Sequence, residues 1–272
     1  MSERNETKQE FASVIGRLRQ LPEAARARLQ SRFAQALLDE TFEVATPRGP
    51  LAFVLLGRGA AIRARSVLTK QPATIAWIDA FRQDSVFWDV GANVGVFTLY
   101  AALRGDTRVV AFEPAAVNYF LLAANCEANR FDARVDCLLA GLGSGKAVGR
   151  LAVSQFAPAE SFTFRAKQDE TISARQAALI VSMDQLVEEF GLAPPNYVKI
   201  DVPGLTEEIV AGGARTLRRP DVRELHIEMR EQSGTGQRII ETLAGLGFAV
   251  VARPAHGGTT DLTFAKSGPS SG

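Results

Sequence analysis

Three observations predict an α/β fold with a mostly parallel sheet. Short apolar runs alternate with helical segments from Ser85 onward, as in a sheet covered by helices on both faces. A glycine turn lies directly between one such run and the next helix. The final two apolar runs are separated only by Arg253 to Thr260, too short for a helical crossover, so they should pair antiparallel.

Each element has its own signal. Between Phe11 and Leu38, Val14, Ile15, Leu18, Leu21, Ala25, Leu29, Phe33, Ala36 and Leu37 recur near helical spacing. Pro22 interrupts them, which predicts two short amphipathic helices that could pack on the rest of the chain, cover a site or mediate a homodimer. Thr41 to Leu56 reads as a hairpin with its turn at Pro47-Arg48-Gly49-Pro50, followed by a helix over Ala73 to Phe81. Strands are expected at 86–90, 108–112, 134–140, 197–201, 222–229, 248–252 and 261–264, and helices at 94–103, 116–128, 183–190, 206–217 and 236–243. Gly141 to Gly149 reads as a glycine-rich loop, and the insert from Gly145 to Arg175 as room for an extra hairpin. The expected organisation is a helical segment and hairpin over 1–66, a main domain over 67–266, and a flexible tail over 267–272 (SGPSSG).

Bulk composition narrows the function. With 31 Lys and Arg against 30 Asp and Glu, no overall field favours nucleic acid or an anionic membrane, so a small substrate is expected. Two cysteines, Cys126 and Cys137, form no CxxC or metal-type grouping and point to a reducing, cytoplasmic setting. The opening MSERNETKQE is too polar for a signal peptide, and no apolar run is long enough to span a bilayer.

The chemistry concentrates at Asp89-Val-Gly91-Ala-Asn93-Val-Gly95. Glycines there permit a tight turn and close backbone approach to a bound group, and amides at a helix start can meet a carboxylate. Asp89 at the strand end is placed to attract an ammonium; the plainer alternative is that it caps the helix. A ligand with both groups at one end is an amino acid, as in the methionyl part of S-adenosylmethionine. Glu113, ending the next strand before Pro114, suits a bidentate bond to ribose hydroxyls. A nicotinamide dinucleotide would use the same acid, but its fingerprint is GxGxxG rather than GxxxG, and Asp89 would repel a pyrophosphate. The expected fold is therefore a Rossmann-like, seven-stranded class I methyltransferase fold with an N-terminal helical and hairpin extension.

The blocks VFWDVGANVGVFTLYAA, VVAFEP, MDQLVEEFG and YVKIDVPGLTEEIVAGG, with the lead-in LTKQPATIAWIDAF, resemble the FkbM family of methyltransferases over roughly Leu68 to Phe264. The resemblance implies methyl transfer from S-adenosylmethionine, usually to a hydroxyl oxygen of a small molecule such as a sugar or secondary metabolite. It assigns Asp89, Gly91, Asn93 and Gly95 to the cofactor loop, Glu113 to the ribose, Asn118 to a polar position near the cofactor, and Gly141 and Leu142 to the adenine side. Lys199 and Asp201 match the family's Lys-Ile-Asp beside the methyl-transfer centre. Two positions depart from the family: Pro203 replaces an acidic residue in KIDVEG, and Gln71 stands where an acid is common. Pro203 motivates the alternative of a non-catalytic binding or scaffold protein that retains the cofactor fold.

A hydroxyl acceptor must lose its proton as the new bond forms. The candidate bases are Asp201, His226 and Glu228, the last two on one face of a strand; His226 is preferred, or Asp201 if His226 points away. Asp201 and Glu228 could instead hold a divalent metal that acidifies a diol, but no metal is the expectation. A nucleic-acid acceptor is not expected, since IDVPG follows the fourth strand in place of an Asn/Asp-Pro-Pro-aromatic base pocket.

Overall fold

The computed structural model describes residues 3–66, 69, 71–153, 163–164, 174–256 and 259–266. Two compact units divide after Thr41: Met1–Thr41 and Phe42–Gly272. This break lies ahead of the boundary at residue 66 expected from the sequence. The lead-in residue Leu68 and the tail 267–272 fall outside the described residues.

The first unit holds α1 (Glu3–Gln20) and α2 (Glu23–Asp39). Pro22 sits at the N-cap of α2, where its fixed φ of −53 starts a helix without costing a needed donor. Helices of 18 and 17 residues are longer than the short pair expected. Their apolar members Phe11, Val14, Leu29, Phe33 and Leu37 are exposed.

In the second unit, β1 (Thr41–Thr46) and β2 (Gly49–Val54) form the expected hairpin. It is fastened to α6 (Ala116–Ala128) and the residue after it: Asn125 Oδ1 accepts the Val54 amide at 2.8 Å, and Asn129 Oδ1 accepts that of Ala52 at 2.9 Å. This is why the hairpin is compact with the second unit. Between hairpin and sheet come α3 (Arg58–Arg65), which no sequence pattern anticipates, and α4 (Pro72–Asp79).

The central sheet runs through β3 (Ser85–Val90), β4 (Thr107–Phe112), β5 (Val135–Leu138), β10 (Tyr197–Ile200), β11 (Glu224–Met229), β12 (Phe248–Ala252) and β14 (Thr259–Lys266). Their order is β12-β14-β11-β10-β3-β4-β5, and the two-residue β13 (Ala255–His256) pairs with β14. From β5 to β11 every pairing is parallel; β14 is antiparallel to both β11 and β12, as the short connection required. His256 thus lies in a small strand between β12 and β14. Trp88, Val90, Phe112, Val198, Leu225 and Ile227 form the centre of the core, which explains why these strands read as continuous apolar runs. Chain order reverses between β3 and β10, so the carboxyl ends of these two strands splay into a crevice. The helix α5 (Val96–Ala102) follows β3.

Two expectations are overturned. Gly141 to Gly149 is a loop only over 143–146: β6 (Gly141–Leu142) and β7 (Ala147–Val153) flank it and join β8 (Thr163–Phe164) and β9 (Ala174–Val181) in a second sheet, order β6-β9-β7-β8. Long-range pairing with β9 overrides the weak strand propensity of glycine, and a Cβ on Gly143 would lie 2.7 Å from Ile180. The expected extra hairpin corresponds in part to β7 and β8; residues 154–162 and 165–173 lie outside the described residues. The single helix expected over 206–217 is two, α8 (Thr206–Gly212) and α9 (Ala214–Arg218), after α7 (Met183–Glu188). Close packing causes the break: a Cβ on Gly212 would lie 2.1 Å from the Gly143 carbonyl, and one on Gly213 2.7 Å from Met183 Sδ. The buried Asp184 carboxylate then accepts the Arg215 and Thr216 amides and restarts the helix. Last of the helices, α10 (Gly234–Gly245) precedes β12.

Candidate active site

Parallel registers carry Asp89, Lys199 and His226 into one row across β3, β10 and β11, with Thr263 of β14 beyond. Residues paired this way present their side chains to the same sheet face. Asp89 and Lys199 are buried there, with Lys199 Nζ 3.9 Å from Asp89 Oδ1, 3.2 Å from Asp201 Oδ2 and 4.9 Å from the Phe97 ring centre. Burial disfavours the ammonium, but the charges of Asp201 and Asp89 outweigh it and hold the Lys199 pKa above its ordinary value. Burial raises the Asp89 pKa, opposed by Lys199 and by hydrogen bonds from Thr98. The Thr98 hydroxyl donates to Asp89 Oδ2 at 2.7 Å, so Asp89 does fasten the first turn of α5. Its Oδ1 is buried without a hydrogen-bond donor.

The loop after β3 is clamped onto the end of β4. The Gly91 and Ala92 amides both donate to the Phe112 carbonyl at 3.0 Å, and the Asn93 amide donates to Glu113 Oε2 at 2.8 Å. Gly91 and Gly95 have φ of +84 and +89, and Asn93 adopts the left-handed region at +55. A Cβ on Gly91 would lie 2.3 Å from the Asp201 carbonyl; one on Gly95 would strike Leu122 of α6 at 2.6 Å. Gly91 therefore brings the loop against the end of β10, while Gly95 lets helix α6 pack close. Asn125 of α6 also holds the Val94 carbonyl at 2.8 Å.

Glu113 is buried and shared: Oε1 accepts the Ala115 amide and Oε2 that of Asn93, both at 2.8 Å, with Asn118 bonding to the same carboxyl. Burial still dominates and pushes its pKa up to about 7. Gly91, Asn93, Glu113, Asn118, Gly141, Leu142 and Asp201 all line one open cleft at the strand ends. Six of the eight residues expected to bind cofactor meet there. Asp89 and Gly95 lie outside its lining, though Asp89 adjoins the lining residue Val90. Pro203, already singled out in the sequence, lines it as well, as do Arg63 of α3, Leu151 of β7, Val202 and Leu205, which nothing local in the sequence marks.

Asp201, Val202 and Pro203 also line a second, wider cleft with Glu228, Arg230, Ser233 and Thr235. Asp201 thus stands where the two clefts meet, its side chain 33% exposed and held by Lys199. Glu228 receives a hydrogen bond from Gln71 Nε2 at 3.2 Å. His226 lies elsewhere. It is buried, its Nε2 is 3.0 Å from Thr74 Oγ1 and its Nδ1 3.0 Å from Thr263 Oγ1, and its ring stacks on Trp77 at 4.9 Å. Burial, with Lys199 adding repulsion, pushes its pKa down to about 3. Among the described residues no group of three or more His, Cys, Asp and Glu is arranged to hold a metal. No helix among them is long and apolar enough to cross a membrane.

A mostly parallel seven-stranded sheet closed by an antiparallel pair, with an acidic glycine loop at its switch point, defines a class I methyltransferase. The model of the "Methyltransferase FkbM domain" matches residues 89–250, more than half of the sequence. The chain belongs to the FkbM methyltransferase family. It is 28% identical over 205 residues to the 31-O-demethyl-FK506 methyltransferase FkbM of Streptomyces tacrolimicus, covering 65% of this chain and 78% of that protein. It is 27% identical over 156 residues to the hexuronic acid methyltransferase AglP of Haloferax volcanii, covering 57% of this chain and 61% of that one. Among solved structures it is similar to an FkbM methyltransferase of Methylobacillus flagellatus KT, with TM-score 0.48, 14% identity, and 69% of this chain and 45% of that chain covered. It is also similar to the magnesium protoporphyrin IX methyltransferase of Synechocystis PCC 6803, solved with bound SAM, with TM-score 0.46, 14% identity, and 76% and 81% covered.

Proposed function

We propose that the chain methylates a hydroxyl oxygen of a small molecule, with S-adenosylmethionine in the first cleft and the acceptor in the second. The observation that carries this reading is the position of Asp201, half-exposed at the junction of the two clefts. S-adenosylmethionine supplies an electrophilic methyl group when bound. The residues fit it: Gly91 and Asn93 bring the loop backbone to the cleft, Glu113 presents a carboxylate to ribose hydroxyls, and Asn118, Gly141 and Leu142 wall the base, while Asp89 Oδ1, outside the lining, makes no hydrogen bond and faces Lys199 at 3.9 Å. Two of the relatives carry the names 31-O-demethyl-FK506 methyltransferase and hexuronic acid methyltransferase, which supports a hydroxyl target.

In this reading Asp201 takes the acceptor's proton as the oxygen–carbon bond forms. Lys199 aims Asp201 through a hydrogen bond at 3.2 Å and is itself held in place by Asp89. Glu228, steadied by Gln71, accepts a hydrogen bond from a second group of the acceptor. His226 is a framework residue, because both ring nitrogens are engaged by buried hydroxyls and its pKa of about 3 leaves it a poor proton acceptor. Much of the rate then comes from aligning the acceptor for in-line transfer.

The test is calorimetric titration of the chain with S-adenosylmethionine and S-adenosylhomocysteine, followed by assay of S-adenosylhomocysteine release across a panel of hydroxylated sugars and macrolides. Micromolar binding with acceptor-dependent release is expected. Failure to bind either ligand would sink the reading.

A further inference from the structure

Cys126 on α6 and Cys137 on β5 belong to neither cleft, yet their sulfurs lie 3.6 Å apart as free thiols. We propose that these two residues are a reversible disulfide-forming modification site, and that the bond distorts the cofactor cleft. Three observations carry this. The sulfurs already touch, so a bond of about 2.05 Å needs only a small closure of helix on strand. Cys126 is buried while Cys137 is only half-buried, giving one accessible attacking thiol and one protected resolving thiol. The hydrogen bond between the two sulfurs lowers the Cys137 pKa below its ordinary value, which favours thiolate on the more accessible sulfur.

The consequence follows from what each cysteine is attached to. Helix α6 also carries Asn118, a lining residue bonded to Glu113, and Asn125, which holds the Val94 carbonyl. Leu138, next to Cys137, accepts the Glu113 amide through its carbonyl at 3.1 Å, and Ala140, Gly141 and Leu142 line the cleft just beyond. Drawing the sulfurs together therefore shifts one cleft wall against another.

The oxidant is a small-molecule disulfide such as oxidised glutathione. The Cys137 thiolate attacks one of its sulfurs, the disulfide breaks, and a glutathione thiolate leaves. Cys126 then loses its proton to solvent and its sulfur attacks the Cys137 sulfur, expelling the second glutathione. The protein loses two electrons and two protons, and the oxidant becomes two thiols.

The full chain, reduced and folded, would be incubated with oxidised glutathione alone and read by intact mass and peptide mapping. Loss of two hydrogens with a Cys126–Cys137 linked peptide is expected, and Cys126→Ser should instead retain a glutathione adduct on Cys137. A lasting adduct on the wild type, or a disulfide formed only after unfolding, would overturn the site. Hydrogen exchange at Leu138–Leu142 should quicken about threefold or more in the oxidised chain and return on reduction; unchanged exchange would overturn the coupling to the cleft. Binding of S-adenosylhomocysteine should weaken in parallel. If neither form binds it, the methyl-donor assignment fails while the mass and exchange results still decide this one.

Discussion

The two clefts that meet at Asp201 are built by different means. The cofactor-side cleft is made of backbone: the Phe112 carbonyl takes two loop amides, Glu113 takes two more, and Gly91 and Asn93 turn the chain through positive φ. That clamp comes from two short stretches, 90–93 and 112–118, and the lining is completed by Arg63, 140–142, Leu151 and residues 201–205. The acceptor-side cleft is lined by two stretches, 201–206 and 228–239, and its acidic side chains are fixed from outside it: Glu228 of β11 is held by Gln71, more than 150 residues away, and Asp201 by Lys199. A backbone-built cleft suits a ligand that never changes. The acidic side chains of the second cleft can change without disturbing the loop that is clamped to β4, whereas Pro203 lines both clefts. Breaking one side should therefore leave the other readable.

The largest effect is expected at the junction. Asp201→Asn removes the proton acceptor and should lower turnover about 10²- to 10⁴-fold with any acceptor that the wild type methylates. S-adenosylhomocysteine affinity, measured by calorimetry, should stay within about threefold. Near-normal turnover would show that another group takes the proton. Next comes Gly91→Ala, which forces an alanine to φ +84 with its Cβ 2.3 Å from a backbone carbonyl. A loss of about 2 kcal/mol or more of stability in urea unfolding is expected, with weakened cofactor binding. A fully stable variant would mean that the loop does not press on β10 as described.

This division also explains how much was legible beforehand. The sheet, its antiparallel closing pair and the helix at 116–128 follow from local periodicity and connection length, and the structure agrees with them. Four cofactor-side residues, Gly91, Asn93, Glu113 and Asn118, converge because they lie within one strand–turn–helix unit and the next strand end and helix start. What local pattern missed was decided by distant partners. Gly141 and Leu142 become a strand only because Ile180 and Val181 pair with them. His226 was the favoured base from its place near a strand end, but alternation cannot show that Thr74, Trp77 and Thr263 enclose the ring. Arg63, in a helix that no pattern announces, reaches the cleft unheralded.

A smaller effect probes the cofactor side through pH. The Glu113 carboxyl has its pKa pushed up to about 7 by burial, so below that pH the free protein carries it protonated. A protonated carboxyl loses acceptor capacity for the two amides and for ribose hydroxyls. S-adenosylhomocysteine affinity should thus fall as pH drops from about 8 to 6, by at most about tenfold per unit. Glu113→Gln should bind about tenfold more weakly at pH 8 and show a flat profile. Equal slopes in both proteins would assign the pH dependence to another group.

The smallest effect tests whether His226 belongs to the framework or to the chemistry. Its pKa falls from an ordinary 6.5 to about 3 in the folded chain, because burial and Lys199 both disfavour the imidazolium. Between those values the unfolded chain binds a proton that the folded chain refuses. The residue's contribution is therefore intact above pH 6.5 and is lost as pH falls below it, at up to about 1.4 kcal/mol per pH unit. Glutamine cannot titrate, so the stability gap between wild type and His226→Gln should narrow by about 1 kcal/mol from pH 6 to 5 in urea unfolding. Turnover at pH 7.5 should meanwhile remain within about threefold, as a framework role requires. If His226→Gln stays folded and binds S-adenosylhomocysteine normally but loses turnover, the proton acceptor lies on β11, and the acceptor-side cleft must open toward α4 during the reaction.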